Sequence, residues 1–334
     1  MGASVRYRSY RGGDETSLVA CWNRSLSRDQ VHLSRFVQTT LLDDNFAEEG
    51  LIEAWDDQDE LRGFVNAVSL RDGTKGAPGG AEGWLQALVV DPATRRQGVG
   101  SELLRRAELY LAGRGCASVA VTPYPPAYYY PGVPLDRYAG SEKLFEGAGY
   151  RRTATVDAMD LLLAAYEVPS GIAQQKTRLE ADGWEFACAS VQWYTRLIQL
   201  CEKFSEDWAG VVRSALRRGM SPEQVQLATR HGQVAGFTIF GAFDGCPDRF
   251  GPFGVADEFR RIGLGAVLLH ETLREMASRN MHCAWFLWTG EHDAAWRLYD
   301  RASFEVTRRF GIYEKQLGQP GTDRTTPPRG ASQA

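Results

Sequence analysis

One short segment of this chain occurs twice, and no other feature of the sequence constrains the fold as strongly. The first copy runs from Val90 to Gly100 and the second from Val255 to Gly265, and the two align without a gap. Each copy follows an apolar run, carries two adjacent arginines, closes with Gly-x-Gly and leads into a second apolar run. That order predicts the end of a strand, a short turn and the beginning of a helix. Two copies in one chain predict two related structural units.

Each copy has the composition of an anion-binding turn. The first N–H groups of a helix have no partner within it, and the helix dipole adds partial positive charge, so a phosphate group satisfies both. Glycine lets a ligand approach the main chain closely because it has no Cβ, and arginine offers forked donors to phosphate oxygens. The alternative is an amphipathic helix with a glycine-rich start and a solvated basic edge. Two matching copies make that alternative the weaker interpretation.

Other phosphate-binding motifs fit these segments poorly. A dinucleotide fingerprint needs a third glycine, and Leu103 and Leu268 stand at that place. A P-loop needs Gly-Lys-Ser or Gly-Lys-Thr, which neither copy contains.

The two copies resemble a family motif. Arg-x-x-Gly-x-Gly at a strand-to-helix turn, present here as RRQGVG and RRIGLG, resembles the acetyl-CoA pyrophosphate loop of the GCN5-related N-acetyltransferases, the GNAT family. The segment from Ala295 to Phe304 resembles the family element Ala-x-x-Leu-Tyr-x-x-x-Gly-Phe, with Ser303 in the usual glycine place. Ser141 to Tyr150 is an earlier echo of that element. The resemblance covers nearly the whole chain as a tandem pair.

The resemblance implies a fold class and a domain plan. We expect an α/β (α+β) protein of two tandem GNAT folds, each a mixed, largely antiparallel sheet flanked by helices. A chain of 334 residues is long for one domain and sufficient for two. The expected boundaries are 1–163 for an N-terminal domain that is degenerate or regulatory, 164–183 for a linking helix, 184–318 for a catalytic C-terminal domain, and 319–334 for a disordered tail.

The resemblance also implies a co-substrate and the residues that bind it. Acetyl-CoA is expected in the cleft between two splayed strands, with its phosphates at the glycine-rich turn. The residues expected to bind it in the second unit are Phe253, Gly254, Val255, Arg260, Arg261, Ile262, Gly263, Leu264 and Gly265. Those expected in the first unit are Leu88, Val89, Val90, Arg95, Arg96, Gln97, Gly98, Val99, Gly100 and Ser101.

Two catalytic positions follow from the same resemblance. The backbone N–H of Val255 is expected to face the thioester carbonyl, where a preorganised donor stabilises the developing oxyanion. Tyr299 occupies the place where this family often has a general acid for the departing sulfur, and a phenol stays protonated at neutral pH. The alternative is a tyrosine packed in the core. The first unit has Phe145 at this place, which has no proton to give, so we expect catalysis in the second unit.

The general base and one loop stay open at this stage. Four residues lie near the segments that should border the acceptor: Asp244, Asp248, Glu291 and His292. For each of them an ordinary surface position is the favoured interpretation over catalysis, and a base acting through water is a further alternative. The loop with Tyr128, Tyr129 and Tyr130 is absent from the second unit. It is either an aromatic wall of an acceptor pocket, a domain contact, or a proline-stiffened surface loop.

Composition excludes several classes of function. A net charge of −4 gives no general attraction to nucleic acid or to an anionic membrane. The six cysteines are scattered without a Cys-x-x-Cys pair, and the five histidines show no ligand spacing. These patterns favour reduced thiols over disulfides or a zinc site. We therefore expect a cytoplasmic protein without a metal, a nucleic-acid partner or a membrane span; the sequence does not specify its oligomeric state.

The resulting hypothesis is an acyltransferase that moves acetyl from acetyl-CoA to the amine of a small molecule by direct attack on the thioester. Two alternatives from other classes remain. One is an acyl-CoA-binding sensor or structural module without turnover in one or both domains, which Phe145 favours for the first. The other is a tRNA-dependent aminoacyl transferase, which would be expected to carry a basic surface.

Overall fold

The computed structural model describes residues 4–70, 81–124, 128–138, 140–243 and 246–317. These residues form two compact units that are not consecutive along the chain. Unit 1 comprises Met1–Tyr124, Lys143–Arg151 and Tyr313–Ala334, and unit 2 comprises Pro125–Glu142 and Arg152–Ile312.

The strands are β1 (Val5–Ser9), β2 (Leu51–Asp56), β3 (Leu61–Ser69), β4 (Ala81–Val90), β5 (Cys116–Val121), β6 (Val133–Pro134), β7 (Arg151–Leu162), β8 (Glu185–Cys188), β9 (Val225–Arg230), β10 (Gln233–Phe240), β11 (Phe250–Val255), β12 (Cys283–Gly290) and β13 (Glu305–Gln316). The α-helices are α1 (Glu15–Ser25), α2 (Leu33–Phe36), α3 (Val99–Gly113), α4 (Ser141–Gly147), α5 (Ser170–Ala181), α6 (Tyr194–Phe204), α7 (Glu206–Arg217), α8 (Leu264–Ser278) and α9 (Ala294–Arg301). Among the described helices, none is long and apolar enough to cross a membrane.

Unit 1 is built on one mixed sheet. Strands β1 to β5 lie in chain order; every neighbouring pair is antiparallel except β4 and β5, which are parallel. Phe64 on β3 meets Trp22 of α1 and Phe36 of α2, whereas the space beside Gly63 is filled by Leu103 of α3. Because neighbouring strand residues point to opposite faces, α3 covers one face of the sheet and α1 and α2 cover the other.

Unit 2 contains two sheets. The first has the order β11-β10-β9-β8, with all pairs antiparallel. Leu227 faces a core formed with α6 and α7, and its neighbour Ala228 faces a second core formed with α5 and α8. In the second sheet, β7 pairs with β12, and the part of β13 in this unit pairs with β6. The predicted fold class, mixed and largely antiparallel sheets flanked by helices, is confirmed.

Along the chain, β7 is the last strand of the first half and β13 is the last strand of the second half. Each of these two strands pairs with a strand from the opposite half. Strand β7 pairs antiparallel with β12 inside unit 2. The last residues of β13, Tyr313 to Gln316, pair antiparallel with β5 inside unit 1. The compact units are therefore interleaved in sequence, whereas the expected boundaries at 163 and 184 follow the chain. The division of the chain between 163 and 184 stays a prediction.

The stretch from Asp72 to Gly83 is rich in glycine, yet strand β4 begins inside it, at Ala81. Gly83 lies in the ladder between β3 and β5, and a Cβ there would collide with Leu111 of α3, so this glycine permits close packing within a strand. The residues at 71–80 and the expected disordered tail at 319–334 lie outside the described residues.

Candidate functional site

In both units the strand that leads to the glycine-rich turn loses a partner along one edge. Strand β4 pairs with β5 only as far as Leu85 and then continues to Val90 beside β3 alone. Strand β11 pairs with β10 at Phe250 and along Phe253 to Val255, and among the described residues one isolated bridge, between Arg249 and Trp285, joins its start to β12. Each unit therefore has a splay between two neighbouring strands, at which main-chain groups are free of ladder partners.

The backbone N–H of Val255 faces the open side of this splay. The next residue, Ala256, donates its N–H to the carbonyl oxygen of Ala235, on the β10 side, at 2.8 Å. Because main-chain groups alternate in direction along a strand, Val255 points its N–H and C=O away from β10. Its carbonyl accepts a bond from Nε of Arg260 at 3.1 Å on that side. Unit 1 repeats the arrangement: Asp91 N–H bonds to the carbonyl of Arg62, so Val90 faces its splay.

The glycine-rich turns have the same backbone conformation in both units. Helix α3 begins after Gly98, which has φ of 89°, and α8 begins after Gly263, which has φ of 97°. Both angles lie in the left-handed region that glycine tolerates best. In the described part of the chain, the N–H groups that open the two helices have no acceptor; they belong to Val99, Gly100, Ser101, Leu264, Gly265 and Ala266. The turns thus present the donor set that an anionic phosphate requires.

The two arginines of each motif have different surroundings. Arg95 donates from Nε to the carbonyl of Val90, just as Arg260 does to Val255, so the first arginine braces the turn against the strand end. Arg260 also pairs with Asp257 at 2.7 Å. The second arginine, Arg96 or Arg261, is exposed and forms no ion pair among the described residues. At each turn the second arginine is therefore the one whose guanidinium has no hydrogen bond or ion pair among the described residues.

The space above the two turns is the clearest difference between them. A Cβ added at Gly98 would meet no atom within 4 Å. At Gly263 the same Cβ would lie 1.6 Å from the side-chain amide nitrogen of Gln175, which comes from α5. The second turn is therefore contacted by the helix that was expected to link the halves, and the first is open. The polar sequence of α5 gave no signal that Gln175 would lie at this site.

Tyr299 lies in α9 at the centre of an aromatic cluster. Its ring centroid is 4.4 Å from that of Phe286, and Phe250, Phe253 and Phe304 also contact it. Burial raises its pKa above the ordinary value of a phenol, so the hydroxyl stays protonated. That hydroxyl has no hydrogen-bond partner in the described part of the chain, and the residue is 7% exposed. The surrounding rings fix the position of the phenol.

Phe145 has a similar position in unit 1 but different chemistry. It is buried in α4 and packs on Tyr150 and Tyr313, with ring centroids 5.6 and 6.2 Å away. The hydroxyl of Tyr150 is enclosed, and by hydrogen-bond geometry it has no partner among the described residues. Burial also raises the pKa of Tyr150, which keeps this phenol protonated.

The structure places the general-base candidates without selecting one. Asp248 accepts a bond from the Cys283 thiol at 3.5 Å, and burial raises the pKa of that thiol to about 11. Glu291 and His292 are a loose, exposed pair at 3.9 Å. Asp244 lies outside the described residues. Among those described, no group of three metal-ligating side chains comes together.

The tyrosine loop lies in unit 2 rather than in the first unit, where the sequence repeat had placed it. Tyr129 is buried, and the half-buried Tyr128 and Tyr130 pack against a buried cluster that includes Phe310. The loop thus covers one face of the sheet formed by β7, β12 and β13. The reason is the strand exchange, which brings this part of the chain into unit 2.

Comparison with known proteins gives a consistent result. The model of the acetyltransferase (GNAT) family matches this chain twice, over residues 16–127 and 189–304. A mycothiol acetyltransferase of Corynebacterium diphtheriae is 26% identical over 243 residues, covering 69% of this chain and 75% of the relative.

Two solved structures have a similar fold. A GCN5-related glucosamine N-acetyltransferase region of a fungal multi-domain β-N-acetylglucosaminidase superposes with a TM-score of 0.79 at 18% identity, covering 94% of this chain. This chain spans only 38% of that multi-domain protein. A tandem GNAT protein from the clavulanic acid biosynthesis pathway superposes with a TM-score of 0.63 at 16% identity, covering 94% of this chain and 99% of the other.

Proposed function

Because the chain belongs to the acetyltransferase (GNAT) family, whose members use acetyl-CoA, we propose that it acetylates the amine of a small molecule and that unit 2 carries the catalysis. The observation that carries this proposal is the contrast between Tyr299 and Phe145. Phe145 lies in α4 and Tyr299 in α9, at matching places of the repeated element, but only Tyr299 has a hydroxyl, and rings on several sides hold it in place.

The residues at the second splay have the donor set that acetyl-CoA needs. The N–H groups at the start of α8 that lack an acceptor among the described residues, together with Arg261, would hold the phosphates. The N–H of Val255 would donate to the thioester carbonyl, where a fixed dipole stabilises developing negative charge without reorganising. When bound, acetyl-CoA supplies the activated acyl group. The turn and strand hold that group beside the amine, and this proximity lowers the entropic barrier.

The proton balance assigns a role to Tyr299. Transfer forms a bond between the amine nitrogen and the acetyl carbon and breaks the carbon–sulfur bond, while the amine loses one proton and the departing sulfur gains one to become a free thiol. A phenol held in its protonated form donates a hydrogen bond to the departing sulfur as charge develops there. The proton from the amine leaves through a base or through water.

A second role is favoured for unit 1. Its turn at Gly98 is open, its first N–H groups have no acceptor, and Phe145 offers no donor to sulfur. These observations support an acyl-CoA-binding module without turnover. Such a module binds the co-substrate but accelerates no step.

A thiol-release assay tests the proposal. The full chain is incubated with acetyl-CoA and a panel of primary amines, and mass spectrometry identifies the acetylated product. We expect amine-dependent release of free thiol that is lost when the second turn is altered and kept when the first is. Release that depends only on the first turn would contradict catalysis in unit 2.

A further inference from the structure

Arg249 is a buried cation at the point where β11 and β12 are still joined. Its side chain is 6% exposed, and its backbone forms the bridge to Trp285. Three aromatic rings surround the guanidinium: those of Phe243 at 3.6 Å, Tyr128 at 5.6 Å and Trp285 at 5.7 Å from its central carbon. The residue therefore lies inside unit 2, at the closed end of the proposed catalytic splay.

No anion balances this charge in the described part of the chain. Within it, no carboxylate lies at ion-pair distance from Arg249, and the one hydrogen bond of the guanidinium runs from Nη2 to the hydroxyl oxygen of Tyr128 at 3.2 Å. Nε is fully enclosed and has no acceptor. Nη1 also has no acceptor among the described residues, and the 6% of the residue that is exposed does not include Nε. A buried cation without a counter-charge is costly unless another group compensates it.

Aromatic rings compensate part of that cost. A second arginine of the unit differs from Arg249 because it has both a ring and a carboxylate. Arg279 lies over Phe240 with its central carbon 5.5 Å from the ring centroid, but it also bonds to Glu275 at 2.8 Å. Arg249 has the rings without the carboxylate. Cation–π contacts fix the position of a guanidinium but leave its in-plane N–H donors free.

We propose that Arg249 recognises an anionic group, a carboxylate or a phosphate, carried by the acceptor amine. The inference rests on the proposed catalysis in unit 2 and specifies the class of acceptor. Phe253, which contacts Tyr299, lies four residues along β11 from Arg249. At the rise of a β-strand this path spans roughly 13 Å. The acceptor is therefore an amine whose anionic group lies some distance from its nitrogen, as in an amino-sugar phosphate or an amino-alkyl carboxylate. Tyr128, from the loop that the second repeat lacks, forms one wall of this site.

Matched pairs of amines test this recognition in the full chain. Glucosamine 6-phosphate is compared with glucosamine, and 6-aminohexanoate with hexylamine, each at saturating acetyl-CoA. We expect the wild type to favour the anionic member of at least one pair by about tenfold or more in kcat/KM, because a site built for a charged group discriminates strongly against its absence. The pair that shows the preference tells phosphate from carboxylate.

Variants assign the preference to Arg249. Arg249→Met should abolish it, Arg249→Lys should keep part of it, and Arg279→Met, which removes an aromatic-stacked arginine already paired with carboxylates, should leave it unchanged. A preference that survives Arg249→Met, or a wild type that favours the neutral amines, would overturn the proposal. If Arg249→Met unfolds, Arg249→Lys decides through the reduced preference alone.

Calorimetry separates this inference from the proposed function. If no amine is acetylated, the catalytic proposal fails for these acceptors, and binding of the same four probes to wild type and to Arg249→Lys is measured instead. Binding of an anionic probe that the Lys variant weakens and the Arg279→Met control preserves supports recognition without turnover. Equal binding of charged and neutral probes, or no binding of either, contradicts it.

Discussion

The turns at Gly98 and Gly263 share a sequence, a left-handed glycine and an arginine that braces the strand end, yet their surroundings differ. The first turn is open above Gly98 and is accompanied by Phe145. The second is contacted by Gln175 and is accompanied by Tyr299. The motif therefore sets the local conformation, whereas the residues that pack around it decide which chemistry each copy can support.

A second contrast lies two strands away from the strand that leads to each turn. Glu53 on β2 pairs with Phe64, and Leu227 on β9 pairs with Phe237, so the two occupy corresponding places. Unit 1 therefore buries a carboxylate where unit 2 buries a leucine. Arg8 pairs with Glu53 at 3.0 Å and with Asp14 at 2.7 Å. The first unit thus tolerates a charged network in its core that the second replaces with apolar packing.

The largest effect is expected where the strand exchange completes unit 1. Tyr313 is fully buried and packs on Phe145, so Tyr313→Ala should lower the free energy of unfolding by about 3–5 kcal/mol, the usual cost of deleting a buried aromatic ring. Gln316→Ala, an exposed change in the same strand, is the control. Urea unfolding of the full chain measures both, and a loss below about 1 kcal/mol for Tyr313→Ala would mean that unit 1 does not depend on the end of the chain.

The next test compares the two turns directly. Gly100 and Gly265 are the second residues of their helices, where an aspartate favours the helix dipole but repels a phosphate. Gly265→Asp should reduce kcat/KM for acetyl-CoA about 100-fold, equivalent to roughly 3 kcal/mol, whereas Gly100→Asp should leave turnover nearly unchanged. The reverse ranking would move the working site to unit 1.

A smaller effect is expected at Gln175. Gln175→Glu keeps the shape of the side chain but places negative charge beside the second turn, so acetyl-CoA affinity there should fall about tenfold. Gln174→Glu adds the same charge at an exposed position of the same helix and serves as the control. Calorimetry measures both. Equal affinity for the two variants would show that Gln175 has no influence on the bound phosphates.

The smallest effect is expected for the pH dependence of the free energy of unfolding. It concerns Glu53, the buried carboxylate that unit 2 lacks. Burial raises the pKa of Glu53 from 4.5 to about 7, with a further contribution from Asp14 and opposition from Trp55 and Arg8. The folded state then binds more protons than the unfolded chain between those values, so the free energy of unfolding falls as the pH rises through that window. Glu53→Gln should flatten this dependence and Glu49→Gln should not. Urea midpoints at pH 5 and pH 8 compare the two, and an unchanged slope in Glu53→Gln would exclude this carboxyl as its source.

The sequence predicted what local patterns determine and missed what distant packing decides. The strand, turn and helix around Gly98 and Gly263 follow from an apolar run, two glycines and a second apolar run, and the structure has them there. Gln175 reaches its turn only because α5 packs on α8, and Arg249 is buried only because three rings from separate segments surround it. Neither contact has a periodic signal in the sequence.

The strand exchange was also beyond the sequence. Strands β7 and β13 each follow a similar helix, and either would complete the sheet of either half, so the pattern alone cannot choose between them. With the pairing known, we expect that halves cut between Leu163 and Trp184 are unstable alone, since each would lose a strand from its sheet. Expression of the separate halves with proteolysis of the full chain measures this.

The central claim, catalysis in unit 2 with Tyr299 as donor to the sulfur, is tested most directly by steady-state kinetics on Tyr299→Phe and Phe145→Tyr. We predict that Tyr299→Phe lowers kcat by about ten- to a thousandfold with little change in acetyl-CoA affinity, and that Phe145→Tyr creates no comparable activity. Full kcat in Tyr299→Phe, together with loss of turnover when the turn at Gly98 and Gly100 is altered, would contradict the claim and assign catalysis to unit 1.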